Sequence, residues 1–377
     1  MDDFRYASYA QEVIFSAGAL TRLGEAPDRF GWNRLLLCTN RSRRANGQVD
    51  SLKSVLGDQL VEIFDRVQPH VQDIQVDEVL ALAIEQNADA VIGMGGGSSI
   101  GMAKAVSYAL SAAFPSNQPF IPVIAIPSTY AGSEMTAVYG ITQAGETPPR
   151  KVTVRDAKIA PKLVIYDPLL TLDLPPGLTA STGINALAHC MEALYSRTRN
   201  PPSGAAAIRG IRHIGNALWR CYQDGNNVEA RSEMLTGAHL AGLSLASVTM
   251  GLHHGLCHVL GGTANVPHGI ANSIILPHAI RFNADVTAPQ LVPAAEALGI
   301  SLNGISPIVA MEALAQKIFE LVGEMNLPQR LRDAGAGLRE SDLPALAQLA
   351  FQNGTVQNNP KPITQPAQIE TLLRNAW

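Results

Sequence analysis

Val91-Ile92-Gly93-Met94-Gly95-Gly96-Gly97-Ser98-Ser99 is the stretch on which the fold turns. Apolar β-branched residues lead into three consecutive glycines, and helix-spaced apolar residues follow over positions 99–111, so it reads as strand, tight turn and helix N-terminus. Glycines let a backbone approach phosphate oxygens closely, and the free N–H groups at the positive end of a helix favour the anion. A plain turn needs one glycine, whereas three in a row point to a pyrophosphate. The spacing is not the G-x-G-x-x-G fingerprint and comes well after the first predicted strand, which excludes an ordinary Rossmann assignment. A second loop, Pro127-Ser128-Thr129-Tyr130-Ala131-Gly132-Ser133-Glu134, also follows a predicted strand and offers hydroxyls to the same ligand.

Outward from this turn, positions 33–39, 60–65, 88–94 and 122–127 are short runs rich in Val, Ile and Leu, as strands buried on both faces of a parallel sheet require. Positions 77–86 and 99–111 carry helical spacing between them. This rhythm of βαβ units predicts an α/β dinucleotide-binding domain over residues 1–165. Strand-like runs at 135–142 and 151–155, separated by the polar stretch 143–150, predict a hairpin that extends the sheet. Beyond Tyr166-Asp167-Pro168 the β-branched runs disappear. Positions 179–197, 203–222 and 228–250 read as helices, punctuated by Pro175-Pro176, Pro201-Pro202 and Pro328, so residues 166–377 are expected to form an all-α domain.

Composition narrows the function. With 46% hydrophobic and 16% charged residues in 377, the chain can build two packed cores, which excludes disorder. A net charge of -4, with Arg41, Arg43 and Arg44 as the one dense basic run, excludes a general nucleic-acid binder and leaves a small molecule as the partner. The N-terminus lacks a secretory layout, and no apolar stretch reaches the roughly 20 residues that span a bilayer, so no membrane partner and a cytoplasmic address are expected. Cys38, Cys190, Cys221 and Cys257 lie far apart without a CxxC pair, which argues for reduced thiols.

Five of the nine histidines have telling positions: His189, His253, His254, His258 and His268. On a helix, His254 and His258 share one face, as do Asn185 and His189. His268 follows the turn-forming stretch 261–267. A lone histidine in an apolar helix is usually a satisfied core residue, but several in uncharged surroundings point to one shared site. His253, out of register beside His254, reads as a capping or packing residue.

These residues carry a resemblance. Gly95-Gly96-Gly97-Ser98 with Ala103-Lys104, positions 127–136, Asn185-Ala186-Leu187-Ala188-His189, His254-Gly255-Leu256-Cys257-His258 and Pro267-His268-Gly269 together resemble the iron-containing (group III) alcohol dehydrogenases over nearly the whole chain. Within that family, positions 129–136, 183–189 with Glu192-Ala193-Leu194-Tyr195, and 253–262 are similar to the maleylacetate reductases, which reduce the carbon–carbon double bond of maleylacetate to 3-oxoadipate in aromatic-ring degradation. The resemblance implies a dehydroquinate synthase-like fold, an α/β N-terminal dinucleotide-binding domain followed by an all-α C-terminal catalytic domain. The chain departs from the subgroup at Gly255, where lysine is usual, and at Asn272, where a second histidine is usual.

In metal-dependent members an aspartate and three histidines hold the ion, and the resemblance puts those positions at Asn185, His189, His254 and His268. Without the carboxylate a divalent ion lacks an anionic ligand, so no bound metal is expected. Gly101 likewise stands where those members carry aspartate, and the loss of both acids is read as admitting a dicarboxylate. The implied catalytic set is His254 and His258 for enolate stabilisation and proton delivery, His189 and His268 for the carboxylates, with Asn185 and Tyr130. At their ordinary pKa of roughly 6.5, some imidazoles are expected to be protonated beside an anionic substrate. The implied cofactor set is Gly95, Gly96, Gly97 and Ser98 at the pyrophosphate, Ser128 and Thr129 nearby, and Lys151 toward the nicotinamide ribose. Asn40, followed by Arg41, Arg43 and Arg44, admits a 2′-phosphate, so the cofactor is NADH or NADPH. A homodimer is implied by relatives. The rivals are a metal-dependent alcohol or aldehyde oxidoreductase of the same family and a lyase of the dehydroquinate synthase type.

Overall fold

The structure is a computed structural model that describes residues 3–113, 120–143 and 150–377. It packs as two compact units, Ser8–Leu174 and Pro175–Trp377, the latter taking in the first residues up to Ala7. The first unit contains β1 (Glu12–Phe15), α1 (Ala26–Phe30), β2 (Leu35–Cys38), α2 (Arg41–Ala45), α3 (Gln48–Leu56), β3 (Leu60–Phe64), α4 (Asp73–Glu85), β4 (Ala90–Gly95), α5 (Gly97–Ala113), β5 (Val123–Pro127), β6 (Val138–Gln143), β7 (Arg150–Arg155) and β8 (Leu163–Tyr166). Six strands form one parallel sheet in the order β1-β8-β5-β4-β2-β3. Alternation along each strand feeds two cores. Leu36, Cys38 and Val91 pack with Val79, Met102 and Val106 of α4 and α5 on one face, and Leu35, Leu37 and Ile92 pack with Val49 and Leu52 of α3 on the other.

The composition change at residue 165 and the edge of the unit at Leu174 differ because the intervening segment is tied back to the sheet. Asp167 accepts hydrogen bonds from the amides of Gly18 and Leu20 at 3.0 and 3.1 Å, and Gln48 donates to the Leu170 carbonyl at 3.1 Å.

The expected hairpin forms, but it does not extend the sheet. β6 and β7 pair antiparallel in a separate two-stranded sheet. Tyr139, Ile141 and Val154 bury the hairpin against the core under α4 and α5. Positions 144–149 of the expected turn lie outside the described residues.

The second unit contains α6 (Pro176–Tyr195), α7 (Pro201–Gln223), α8 (Val228–Ser247), α9 (Leu252–Thr263), α10 (His268–Ala297), α11 (Pro307–Glu324), α12 (Leu343–Phe351), α13 (Gly354–Gln357) and α14 (Pro366–Asn375), with no strand among its described residues. From Thr179 to Tyr195, α6 is buried at every position but Thr182. A helix apolar around its whole circumference belongs at the centre, and α7, α8 and α10 pack on it. Leu256 and Leu260 of α9 join Ile274 and Ile275 of α10, Leu346 of α12 and Leu373 of α14 in a further core. Among the described residues no single helix is long and apolar enough to cross a membrane.

Candidate active site

The glycine turn closes β4 and opens α5. Gly95 has φ +139°, and a Cβ there would stand 2.8 Å from Ser99 Oγ, so this position accepts glycine alone. A Cβ on Gly96 would meet Thr129 Cγ2 at 3.3 Å, and the Ser128 amide donates to the Gly95 carbonyl at 2.9 Å. The two loops read from sequence as cofactor loops therefore lie against each other. Together they leave a cradle that side chains would fill, bordered by the unpaired first amides of α5, which fits a pyrophosphate. The Ser98 hydroxyl oxygen accepts from the His70 amide at 3.2 Å.

Asn40 is the N-cap of α2. Its Oδ1 accepts from the Arg43 amide at 3.3 Å and the Ser42 hydroxyl at 2.7 Å, while its Nδ2 lies 4.0 Å from the Cβ position of Gly95. The arginines after it are not equivalent, as the sequence reading had them. Arg43 is buried and donates to Gln48 at 3.3 Å, and Arg44 is paired with Asp65, which leaves Arg41 exposed and open to a ligand. Tyr130, expected among the catalytic groups, is wholly buried in its loop in the α/β unit. Lys151 is in β7, and its side chain lies outside the described residues. A Cβ on Gly101 would come within 2.9 Å of Val71 Cγ2 and 3.8 Å of Tyr139 Cβ, so any side chain there has to displace Val71.

In the helical unit the structure gathers the five histidines. His189 on α6 stacks on His254 of α9, ring centroids 4.5 Å apart, and His253 stands edge-on to His254 at 4.8 Å. His258 and His268 stack at 5.7 Å and lie 6.5 and 6.4 Å from His254. His189, His253 and His254 are buried, His268 is half-buried and His258 is exposed. Asn185, one turn before His189, is buried on α6. The shared-site expectation fits this placement, and His253 does pack: its ring nitrogens face the Asn272 carbonyl and His254 Nδ1, both at 3.2 Å.

Sequence reading missed Glu192. α9 begins at Gly251, which has no side chain to cap it, and the fully buried Glu192 of α6 does so from across the interface. Its Oε1 accepts from the amides of Gly251 and His253 at 3.1 and 3.2 Å, and its Oε2 from the amide of His254 at 3.2 Å and from His254 Nδ1 at 2.6 Å. An ionised carboxylate only accepts, so Nδ1 carries the proton and Nε2 presents a lone pair. That Nε2 and the Nδ1 of His189 are buried with no hydrogen-bond partner among the described residues. One signal was available: a buried glutamate three residues after His189, on the same face of an apolar helix, needs a polar partner.

Burial, reinforced by the neighbouring imidazoles, pushes His189 and His254 well below the ordinary histidine range, and burial lowers His253 against the pull of Glu192. Without ligand these three imidazoles are thereby biased toward the neutral form, so any protonation has to be drawn in by an anionic substrate. Gly255 departs from lysine for a packing reason, since a Cβ there would press on the backbone nitrogen of Val356 at 2.8 Å. A cavity of about 560 Å³ lies elsewhere in the unit, beside His278, Arg281, Phe282 and Lys361, but Arg281 and Lys361 are already paired with Glu312 and Asp285.

Two family models match the chain, iron-containing alcohol dehydrogenase over residues 10–168 and the C-terminal part of the Fe-containing alcohol dehydrogenase family over residues 179–377. A maleylacetate reductase of Burkholderia cepacia is 37% identical, with 100% of this chain and 98% of that protein covered. The crystal structure of maleylacetate reductase from Agrobacterium tumefaciens superposes with a TM-score of 0.86 at 32% identity, covering 100% of this chain and 99% of that one. A 1,3-propanediol oxidoreductase structure gives a TM-score of 0.92 at 30% identity with full coverage of both chains. This chain belongs to the iron-containing alcohol dehydrogenase family.

Proposed function

We propose that the protein is an NAD(P)H-dependent maleylacetate reductase, which reduces the carbon–carbon double bond of maleylacetate to give 3-oxoadipate. Full-length similarity to proteins of that name supports the substrate. The observation that carries the chemistry is a cluster of imidazoles whose one carboxylate, Glu192, has both oxygens turned to backbone amides and His254, so that a dicarboxylate meets no facing anion.

The bound dinucleotide supplies a hydride to the alkene carbon β to the ketone. Negative charge then gathers on the enolate oxygen, and the helical unit must meet it. A dianionic substrate raises the proton affinity of nearby imidazoles, so His254 takes up a proton at Nε2 as the substrate binds, with Glu192 balancing the imidazolium. His254 then gives this proton to the carbon α to the ketone, which completes the addition of hydride and proton across the double bond. His189, His258 and His268, with the Asn185 amide, hold the carboxylates. Tyr130, buried in the second cofactor loop, is kept in the proposed catalytic set. In the assay that tests the reading, purified protein consumes NADH or NADPH with maleylacetate at a kcat/KM about 10³-fold above simple aldehydes, because polar groups built for carboxylates reject substrates lacking them. A preference for aldehydes would establish the alcohol dehydrogenase rival instead.

Turnover without a bound metal is part of the same proposal. The iron in the family's name has to be held by the donors present, and they do not suit it. Asn185 offers a neutral amide where the metal-dependent members have a carboxylate, so the set lacks the anionic donor that favours iron. Among the described residues, the one trio of histidine, cysteine or acidic side chains with ligand atoms within 4.8 Å of one another is Glu192, His253 and His254, and those atoms are hydrogen-bonded to each other.

For the cofactor, Arg41 is the side chain that supports use of NADPH. Arg41→Ala is expected to lower kcat/KM for NADPH about tenfold and to leave NADH within twofold, the mark of one charge-assisted phosphate contact. Equal effects on both would remove the arginine from cofactor choice. Lys151 is kept as the residue toward the nicotinamide ribose. A homodimer in the cytoplasm completes the proposal, and the free outer edge of β1 supports the assembly.

A further inference from the structure

We propose that Lys104 is a positioning residue for the cofactor site, its buried ammonium pinning the second cofactor loop against the glycine turn. Lys104 lies on α5, two turns after Gly97, and is fully buried. Its Nζ donates to the carbonyls of Ser133 and Val138 at 2.6 and 3.1 Å and to the Thr136 hydroxyl at 3.1 Å, with Ser133 Oγ at 3.4 Å. An ammonium has three protons to give, and every acceptor here comes from the short segment that continues the second loop. The same loop leans on the turn from its other end: Ser128 bonds to Gly95, Thr129 borders Gly96, and Ser133 Cβ lies 4.0 Å from the Cβ position of Gly97. One helix therefore forms the phosphate turn with its first residues and grips the neighbouring loop with its lysine.

Packing alone does not account for a cation at this position. Taking an ammonium out of water is costly, and a methionine would fill the same space without that cost. Burial draws the Lys104 pKa down to about 7 against the attraction of Glu134. Glu134 attracts the ammonium without bonding to it, and its Oε1 accepts from the Tyr166 hydroxyl at 2.7 Å. The loop's carbonyls and hydroxyls are what the ammonium was brought in to hold.

The inference rests on the reading that Ser128 and Thr129 touch the dinucleotide, and the test separates the two. NADH affinity is measured by fluorescence titration in the full-length protein, with KM for maleylacetate alongside. Lys104→Met, which keeps the stem and loses the donors, is expected to raise the Kd for NADH about tenfold while the KM for maleylacetate stays within threefold. Thr129→Val reports on the loop directly and is expected to raise the Kd as well. Lys104→Ala is expected to regain part of its affinity with ethylammonium and none with tetramethylammonium, which has no N–H. If Lys104→Met binds NADH like the parent while Thr129→Val weakens, the lysine only packs and the inference falls. If neither weakens, the loop reading falls with it. Should Lys104→Met fail to fold, Thr136→Val removes one acceptor and leaves the lysine in place. A threefold rise in Kd there supports the proposal, and an unchanged Kd overturns it.

Discussion

Glu192→Gln is expected to lower kcat with maleylacetate by about 10³-fold and to leave the Kd for NADH within twofold, since an acid-to-amide change that sets a catalytic imidazole in the wrong tautomer costs ~10⁴ elsewhere. The glutamine oxygen can still accept from the backbone amides of Gly251 and His253, but its NH₂ must then face His254 Nδ1, now 2.6 Å from a carboxylate oxygen. Nδ1 turns acceptor, the proton moves to Nε2, and the lone pair that was to receive a proton is lost. The balancing negative charge goes too. Glu192→Ala is less informative, because it leaves amides at a buried helix end unsatisfied at ~1–3 kcal/mol each and tests folding instead. A kcat for Glu192→Gln within threefold of the parent, at unchanged Tm, would remove the pair from the mechanism.

The second large effect is expected at His254 itself. His254→Ala should cost ~10²–10⁴ in kcat, the usual range for a positioned proton donor, with NADH binding intact. His258→Ala should cost at least tenfold less. Both were candidates by spacing, and burial separates them: His254 is 3% exposed and held by Glu192, whereas His258 is open to solvent and competes with water for any anion. Steady-state kinetics on the two variants with one preparation of substrate checks the ranking. Equal losses would mean that the exposed ring is as close to the reacting atoms as the buried one.

Much of this molecule was legible before folding, because its strong signals are local. Three glycines after an apolar strand force a turn, and the change from β-branched runs to helical spacing separates a sheet from a bundle. Histidines four apart share a face whatever surrounds them. The hairpin's place was not legible, since which strands pair across the sheet is a fact of topology. Arg43 and Arg44 looked like Arg41 until burial and Asp65 distinguished them. Glu192 escaped attention because its partner is an uncapped helix end 60 residues on, and a missing cap is visible only when both helices are in place. The lowered imidazole pKa values had the same origin, since desolvation follows from packing.

The most direct test of the account joins substrate and metal in one measurement. Protein is treated with a strong chelator, its iron and zinc are counted by elemental analysis, and maleylacetate reduction is followed by the loss of NADH absorbance. The account predicts less than a tenth of an equivalent of metal at undiminished turnover. Activity that vanishes with the metal and returns with stoichiometric iron or zinc would contradict it.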